Sequence, residues 1–296
     1  MKHHFGDFLD RTSDYWTTIP NRERFAFIAD FEIANKDEVK ILTISKNQEK
    51  KHWEQLFECP NLEELTLHNP SNEQIQSIRK LTNLKRLRIT FFRTKNVEFI
   101  SDLLNLEELV LEYVSGFSDL SPLQKLKKIK SLHLENLRKV SNFDGLKGIN
   151  SLCYLYIDGT LDWKQPIENF SFLEGLPNLE ILAFRFVINK TSYPAFLPLL
   201  KLKKLKEIRI GMATFNTKEY AFIQTALPNV MGGHFGSAIW TPCYQINDDY
   251  MEFIGKGAGN VKLNNPKAKE KIETFKLQFE TYKKEAEQII KRYRGD

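Results

Sequence analysis

One phrase recurs along this chain and limits what it can fold into. It reads Asn61-Leu62-Glu63-Glu64-Leu65-Thr66-Leu67, then Asn83-Leu84-Lys85-Arg86-Leu87-Arg88-Ile89, then Asn105-Leu106-Glu107-Glu108-Leu109-Val110-Leu111. Looser copies begin at Ile129, Leu152, Leu179 and Leu205, and a degenerate first one begins at Val39. Successive copies start 23, 22, 22, 23, 23, 27 and 26 residues apart. Repetition at a nearly constant period means that each unit is one supersecondary piece, which buries its apolar side only by stacking on its neighbours.

Within each unit two periodicities alternate. Leu65-Thr66-Leu67 and its copies alternate apolar and polar residues, the pattern of a strand buried on one face. Between the strands the spacing becomes three: Ile75, Ile78, Leu81, Leu84, then Val97, Ile100, Leu103, Leu106. The series continues as Phe117, Leu120, Leu123, Leu126, Ile129 and as Val140, Phe143, Leu146, Ile149, Leu152. A period of three puts these residues on one side of a 3₁₀-like return segment, where side chains three apart eclipse. Ser121-Pro122 reads as a capping serine followed by proline at the first helical position, and Ser71-x-x-Gln74 has the form of a capping box. Asn61, Asn83, Asn105 and Asn178 precede the strands, and asparagine tolerates the left-handed backbone of a turn.

The L-x-x-L-x-L core and its spacing resemble leucine-rich-repeat proteins from Val39 to Ile210. That resemblance implies an α/β solenoid, a horseshoe or arc whose parallel strands line the concave face. It also implies an interaction scaffold rather than an enzyme. Three residues past the last strand leucine the family usually has Asn or Cys, but here stand Asn47, Pro70, Phe92, Val114, Leu137, Thr160, Val187 and Ala213. An asparagine ladder is therefore not expected at that position. The longer last repeats place inserts at Trp163 to Pro166 and Asn189 to Pro198, expected as loops.

The expected organisation is an N-terminal cap over residues 1–37, a solenoid of eight repeats over 38–228, and a C-terminal cap over 229–296. In the first cap, Tyr15 to Ile19 and Arg24 to Ile28 are both β-prone and suggest a hairpin, with Trp16, Phe25, Phe27 and Phe31 covering the first repeat. His3, His4 and Asp7 read as a solvated terminus rather than a metal site. In the last cap, Gly232-Gly233-His234-Phe235-Gly236 and Gly255-Lys256-Gly257-Ala258-Gly259 lack the spacing of a phosphate loop and read as turns. His234, Cys243 and Asp248 carry no nucleophile signature. After Asn265-Pro266, apolar residues at Ala268, Ile272, Phe275, Phe279, Tyr282, Ala286, Ile289 and Tyr293 step by four and three, predicting a long helix over about 266–293. It either packs across the end of the solenoid or pairs between chains as a homo-oligomer.

Composition restricts function modestly. The chain is 42% hydrophobic and 27% charged with a net charge of +5, values that do not demand nucleic acid. Three scattered cysteines, Cys59, Cys153 and Cys243, argue against a disulfide framework or a zinc site. With no apolar leader or membrane-length segment, a cytoplasmic protein is expected.

The outward strand positions form lanes. One runs Thr43, Thr66, Arg88, Val110, His133, Tyr156, Ala183, Arg209, and the lane two residues earlier runs Ile41, Glu64, Arg86, Glu108, Ser131, Tyr154, Ile181, Glu207. The outermost runs Ser45, His68, Thr90, Glu112, Glu135, Asp158, Arg185, Gly211, with Phe91, Tyr113 and Phe186 just beyond it. Tyr113, Tyr154, Tyr156 and Phe186 suggest aromatic anchors. Glu112, Glu135 and Asp158 form an acidic row that needs a cation or a partner's Lys or Arg across it. With Arg185, Arg86 and Arg88, these residues make the candidate face for a protein or peptide with basic flanks, and no cofactor or metal is assigned. The leading reading is an intracellular regulator or recruiter, and the alternative is an immunity-type protein that neutralises a basic toxin groove. A nucleic-acid binder using Lys85, Arg86, Arg88 and the last helix, or an enzyme built on the C-terminal segment, is a weaker reading.

Overall fold

The computed structural model describes the backbone of residues 10–12, 15–17 and 27–28, and both backbone and side chains of residues 31–44, 52–242 and 249–295. A short antiparallel hairpin, β1 (Asp10–Thr12) with β2 (Tyr15–Thr17), comes first. Nine strands then form a single parallel sheet in chain order: β3 (Phe27–Ile28), β4 (Ile41–Ile44), β5 (Glu64–His68), β6 (Arg86–Arg93), β7 (Glu108–Ser115), β8 (Ser131–Glu135), β9 (Tyr154–Asp158), β11 (Ile181–Arg185) and β13 (Glu207–Ile210). The lanes read from the sequence are the observed register: Ile41, Glu64, Arg86, Glu108, Ser131, Tyr154, Ile181 and Glu207 stand side by side. Among the described residues Tyr15–Thr17 pairs with β1 and Phe27–Ile28 joins the parallel sheet as its first strand, in place of the expected hairpin between the two segments. Phe31 does not serve as a lid, being 72% exposed. The side chains of Trp16, Phe25 and Phe27, and the His3, His4 and Asp7 group, lie outside the described residues.

From β4 to β11 the return segments are mostly 3₁₀ helix, as at Glu98–Asp102, Ser121–Lys125 and Ser171–Gly175. The period of three has a direct cause. Ile100 N–H donates to Val97 O, Leu103 to Ile100 and Leu106 to Leu103, so each apolar residue bonds the one before it. All four are fully buried, at 0% exposure. Burying a side chain of this size contributes about 1.5–3 kcal/mol. The exception to the 3₁₀ pattern is α1 (Asn72–Ser77), where Ser71 and Gln74 form the complete capping box. At the Ser121–Pro122 segment the capping role belongs to Asp119, whose carboxylate accepts from both the N–H and the hydroxyl of Ser121.

The asparagines before the strands do not adopt the left-handed backbone. Their side chains donate instead to a carbonyl one repeat back: Asn61 to Asp37, Asn105 to Thr82 and Asn178 to Asn150. The strand-exit turns that lack the family's asparagine are filled by core residues, with Phe92, Val114, Leu137 and Val187 all buried. Buried side chains then satisfy the turn backbone. Gln165 accepts from Leu137 N–H and donates to Val140 O, and Gln55 does the same between Ile33 and Phe31.

The longer repeats do more than form loops. Their inserts contribute β10 (Gln165–Ile167) and β12 (Val187–Asn189), a second parallel pair, and a widened core is filled by Phe170, Phe184, Phe196 and Phe215. Past β13, the segment at Met231 closes the sheet edge, with Ile208 N–H donating to Met231 O. Gly232 is required there, since its φ is +74° and a Cβ would lie 2.1 Å from Ile208 O. α2 (Thr217–Ala226) lies between β13 and this segment, and a three-stranded antiparallel sheet of β14 (Ala238–Thr241), β15 (Tyr250–Phe253) and β16 (Asn260–Lys262) follows it. The chain ends in α3 (Ala268–Arg294), which packs on α2 and buries the seam residues Ala268, Phe279 and Ala286. Phe275 stacks on Phe253, and Lys218 bridges to Glu285 and lies over the Tyr282 ring. The heptad seam thus faces its own solenoid. Among the described residues no helix is long and apolar enough to cross a membrane.

Candidate functional site

Strands in a sheet stand about 4.8 Å apart, so long side chains in one lane reach across to the next repeat. The charged residues of this face do so and pair with each other. Arg86 lies between Glu64 at 2.7 Å and Glu108 at 3.0 Å, with side-chain exposures of 15%, 6% and 2%. Burial works against the Arg86 charge, but Glu108 and Glu64 more than offset it and hold the guanidinium pKa above its ordinary value. Arg88 bonds Glu112 at 2.9 Å. On the flank, Lys85 meets Glu63 at 2.7 Å, Lys130 meets Glu107 at 2.9 Å and Lys206 meets Glu180 at 2.7 Å.

One strand per repeat in a single parallel ladder, its L-x-L residues sealed inside and 3₁₀ segments returning, decides the architecture. The chain has the leucine-rich-repeat fold. No protein-family model matches it, and no curated protein matches it. Solved structures do. An internalin (inlF) from Listeria monocytogenes is 16% identical with a TM-score of 0.42, the match covering 58% of this chain and 54% of that one. Internalin C2 of the same organism is 22% identical with a TM-score of 0.36, covering 51% and 62%. A leucine-rich-repeat protein of Leptospira interrogans is 14% identical with a TM-score of 0.33, covering 62% and 58%. The chain thus spans roughly half to three fifths of the length of these structures.

On this leucine-rich-repeat solenoid the expected acidic row is not open. Glu112 is 7% exposed and held by Arg88. Asp158, at 0% exposure, accepts from Arg185 Nε at 2.9 Å and from the Tyr156 hydroxyl at 3.0 Å. Burial raises the Asp158 carboxyl pKa, and Arg185 and Tyr156 reverse only part of that rise. Burial, followed by the Asp158 charge, pushes the Tyr156 phenol upward too. Glu135 lies 3.6 Å from His133, and together with Asp158 these residues bring possible ligand atoms within 4.8 Å of one another. The basic flanks expected of a partner are thus replaced at two of the three carboxylates by the chain's own arginines.

Tyr154 is not an exposed anchor. It is 1% exposed and touches the cavity beside Arg185 only as a buried wall residue. Tyr156 is half-buried, its ring 4.4 Å from that of His133. The guanidinium of Arg185 lies 6.0 Å from the Tyr156 ring and 5.4 Å from the Phe186 ring while its side chain stays 59% exposed. Beside it is a mainly apolar cavity of about 510 Å³ lined by Tyr156, Ala183, Arg209, Ile210, Met231 and Phe235. On its other side a smaller one of about 310 Å³ is lined by Phe186, Val187, Met212 and Lys256. His234 bonds the Pro228 carbonyl, whereas Cys243 and Asp248 lie outside the described residues.

Side chains could not show one property of the anchors. Phe91, Tyr113 and Phe186 have left-handed backbone, with φ of 55°, 54° and 48°. This bend turns the following Phe92, Val114 and Val187 into the core. Other repeats place Asn69 and Asn136 at the same point, also at positive φ. For a bulky residue this conformation costs about 1–2 kcal/mol, and asparagine adopts it more readily. The aromatics therefore stand where local backbone stability disfavours them.

Proposed function

We propose that this protein is a binding scaffold whose strand face takes a protein or peptide partner at its C-terminal third. An apolar partner side chain enters the 510 Å³ cavity, and a neighbouring carboxylate of the partner lies against Arg185. The observation that carries this reading is the Arg185 guanidinium, fixed by Asp158, flanked by Tyr156 and Phe186, and still more than half exposed at the cavity mouth. A largely apolar, preformed cavity with one convergent charge is the usual form of a recognition pocket. A planar guanidinium already held in place recognises carboxylate with little further ordering. The immunity-type alternative loses the open acidic row that motivated it.

Selection of displayed peptides on the full chain tests the proposal. The expected consensus is a large apolar residue beside Asp or Glu. Titration calorimetry is expected to show binding lost in Arg185→Glu and in Met231→Glu but kept in Phe91→Asn. Selected peptides that bind Arg185→Glu as tightly as the parent would overturn this site.

A further inference from the structure

A second surface differs in kind from the pocket and does not rest on it. The cations weighed from the sequence for nucleic acid, Lys85, Arg86 and Arg88, all hold acids of neighbouring repeats. The edge where β6 and β7 leave the sheet is different. Arg93, Lys95, Arg138 and Lys139 are exposed there, and among the described residues none of them makes an ion pair or a side-chain hydrogen bond. Arg93, Lys95 and Lys139 line a groove of about 560 Å³ with Asn72, Thr94 and Gly116, and among the described residues no carboxylate lines it. Gly116 keeps the groove open to the main chain: its φ is +101°, and a Cβ would meet Thr94 O at 2.4 Å.

Two residues back along the same strands, Phe91 and Tyr113 stack with ring centroids 4.7 Å apart and planes at 19°. They are 51% and 37% exposed, and His68 meets Phe91 edge-on at 5.3 Å. Both rings occupy the left-handed position that neighbouring repeats give to asparagine. Flat stacked rings two residues along the chain from these cations match one ligand chemistry well. Nucleobases stack on aromatic faces whatever their sequence, while phosphates settle on Arg and Lys. A peptide of acidic residues alone would meet the same cations but has no flat group to extend the stack. The geometry points to this edge as a binding site for single-stranded nucleic acid, with a base continuing the Phe91–Tyr113 stack and phosphates against Arg93, Lys95 and Lys139.

Fluorescence anisotropy on the full chain, with labelled oligouridine and oligothymidine 12-mers and an oligoglutamate control, tests this. Binding of either oligonucleotide is expected to weaken with salt at a log–log slope of about −2, three contacts at about −0.7 each. The double variant Phe91→Asn/Tyr113→Asn is expected to lose about tenfold or more in affinity, the scale of one lost base stack, with its urea midpoint held or raised. Arg93→Ser/Lys139→Ser is expected to reduce the slope by about 1.4. Preference for uridine or thymidine assigns RNA or DNA. Failure of both oligonucleotides to bind at low salt, unchanged affinity in the ring variant, or oligoglutamate binding as tightly as the oligonucleotides would each overturn the proposal.

Discussion

The guanidinium of Arg185 closes on the carboxylate of Asp158 through Nε at 2.9 Å and Nη2 at 2.8 Å, with the arginine half in solvent and the aspartate wholly out of it. The pair therefore has an asymmetric dependence on pH. Arg185→Ala would leave a buried carboxylate without its counter-charge, at a cost of about 2 kcal/mol once the exposure of Arg185 is discounted. Asp158 already has a raised pKa, so the stability it contributes is full below its unfolded value and is lost as pH rises through the folded one. The variant is accordingly expected to lose more stability at neutral pH than near pH 4, as read by urea titrations at both.

Arg86 and Lys85 are neighbours in sequence with different consequences. Arg86→Met strands Glu64 and Glu108, both nearly sealed, and is expected to destabilise by about 3 kcal/mol. Lys85→Met removes a pair exposed by 42% and 39%, and the expected change is under about 1 kcal/mol. Chemical denaturation of the two variants side by side checks the contrast.

Glu219 is fully buried at the start of α2, where it accepts from Ala195 N–H, and burial raises its pKa to about 7. Its contribution is fully present below about pH 4.5, the ordinary carboxylate value, and is lost as pH rises through about 7. Stability is expected to fall over that window by an amount on the order of 3 kcal/mol. Glu219→Gln keeps the bond to Ala195 and cannot ionise, so its melting temperature is expected to show a flatter pH profile.

Tyr154→Ala is expected to behave as a core deletion costing about 3–5 kcal/mol, since the ring is 1% exposed. Tyr156→Phe removes only the hydroxyl that bonds Asp158, a change of about 1–2 kcal/mol. Thermal melts that rank the two the other way would contradict the placement of these rings.

Register was legible because leucines enforce it. A slip of one residue would turn Leu65 and Leu67 outward, so the lane of Glu64, Arg86, Glu108 and Tyr154 could be written down from letters alone. Burial along that lane was less legible, because it depends on how far each side chain bends over its neighbour. The acidic row looked open because its cations, Arg88 and Arg185, lie one lane or one repeat away. A usable signal was present nonetheless, in the alternation of Glu64, Arg86 and Glu108 at one repeat position. Backbone sign has no such signal: nothing in the letters of Phe91 or Tyr113 says that they share a bend with Asn69 and Asn136. The Phe27–Ile28 strand was legible as a β-prone run, but its pairing with β4 was not, because two residues give no register to count.

The flank ion pairs give the stack a parity. Glu63, Lys85, Glu107 and Lys130 occupy one lane and alternate in sign from repeat to repeat. Excising the single repeat that carries Lys85 would bring Glu63 beside Glu107 and Glu64 beside Glu108. Excising two consecutive repeats would bring Glu63 beside Lys130 and keep the signs matched. Over these four repeats, removal in even steps keeps the flank signs matched and removal in odd steps sets acid beside acid.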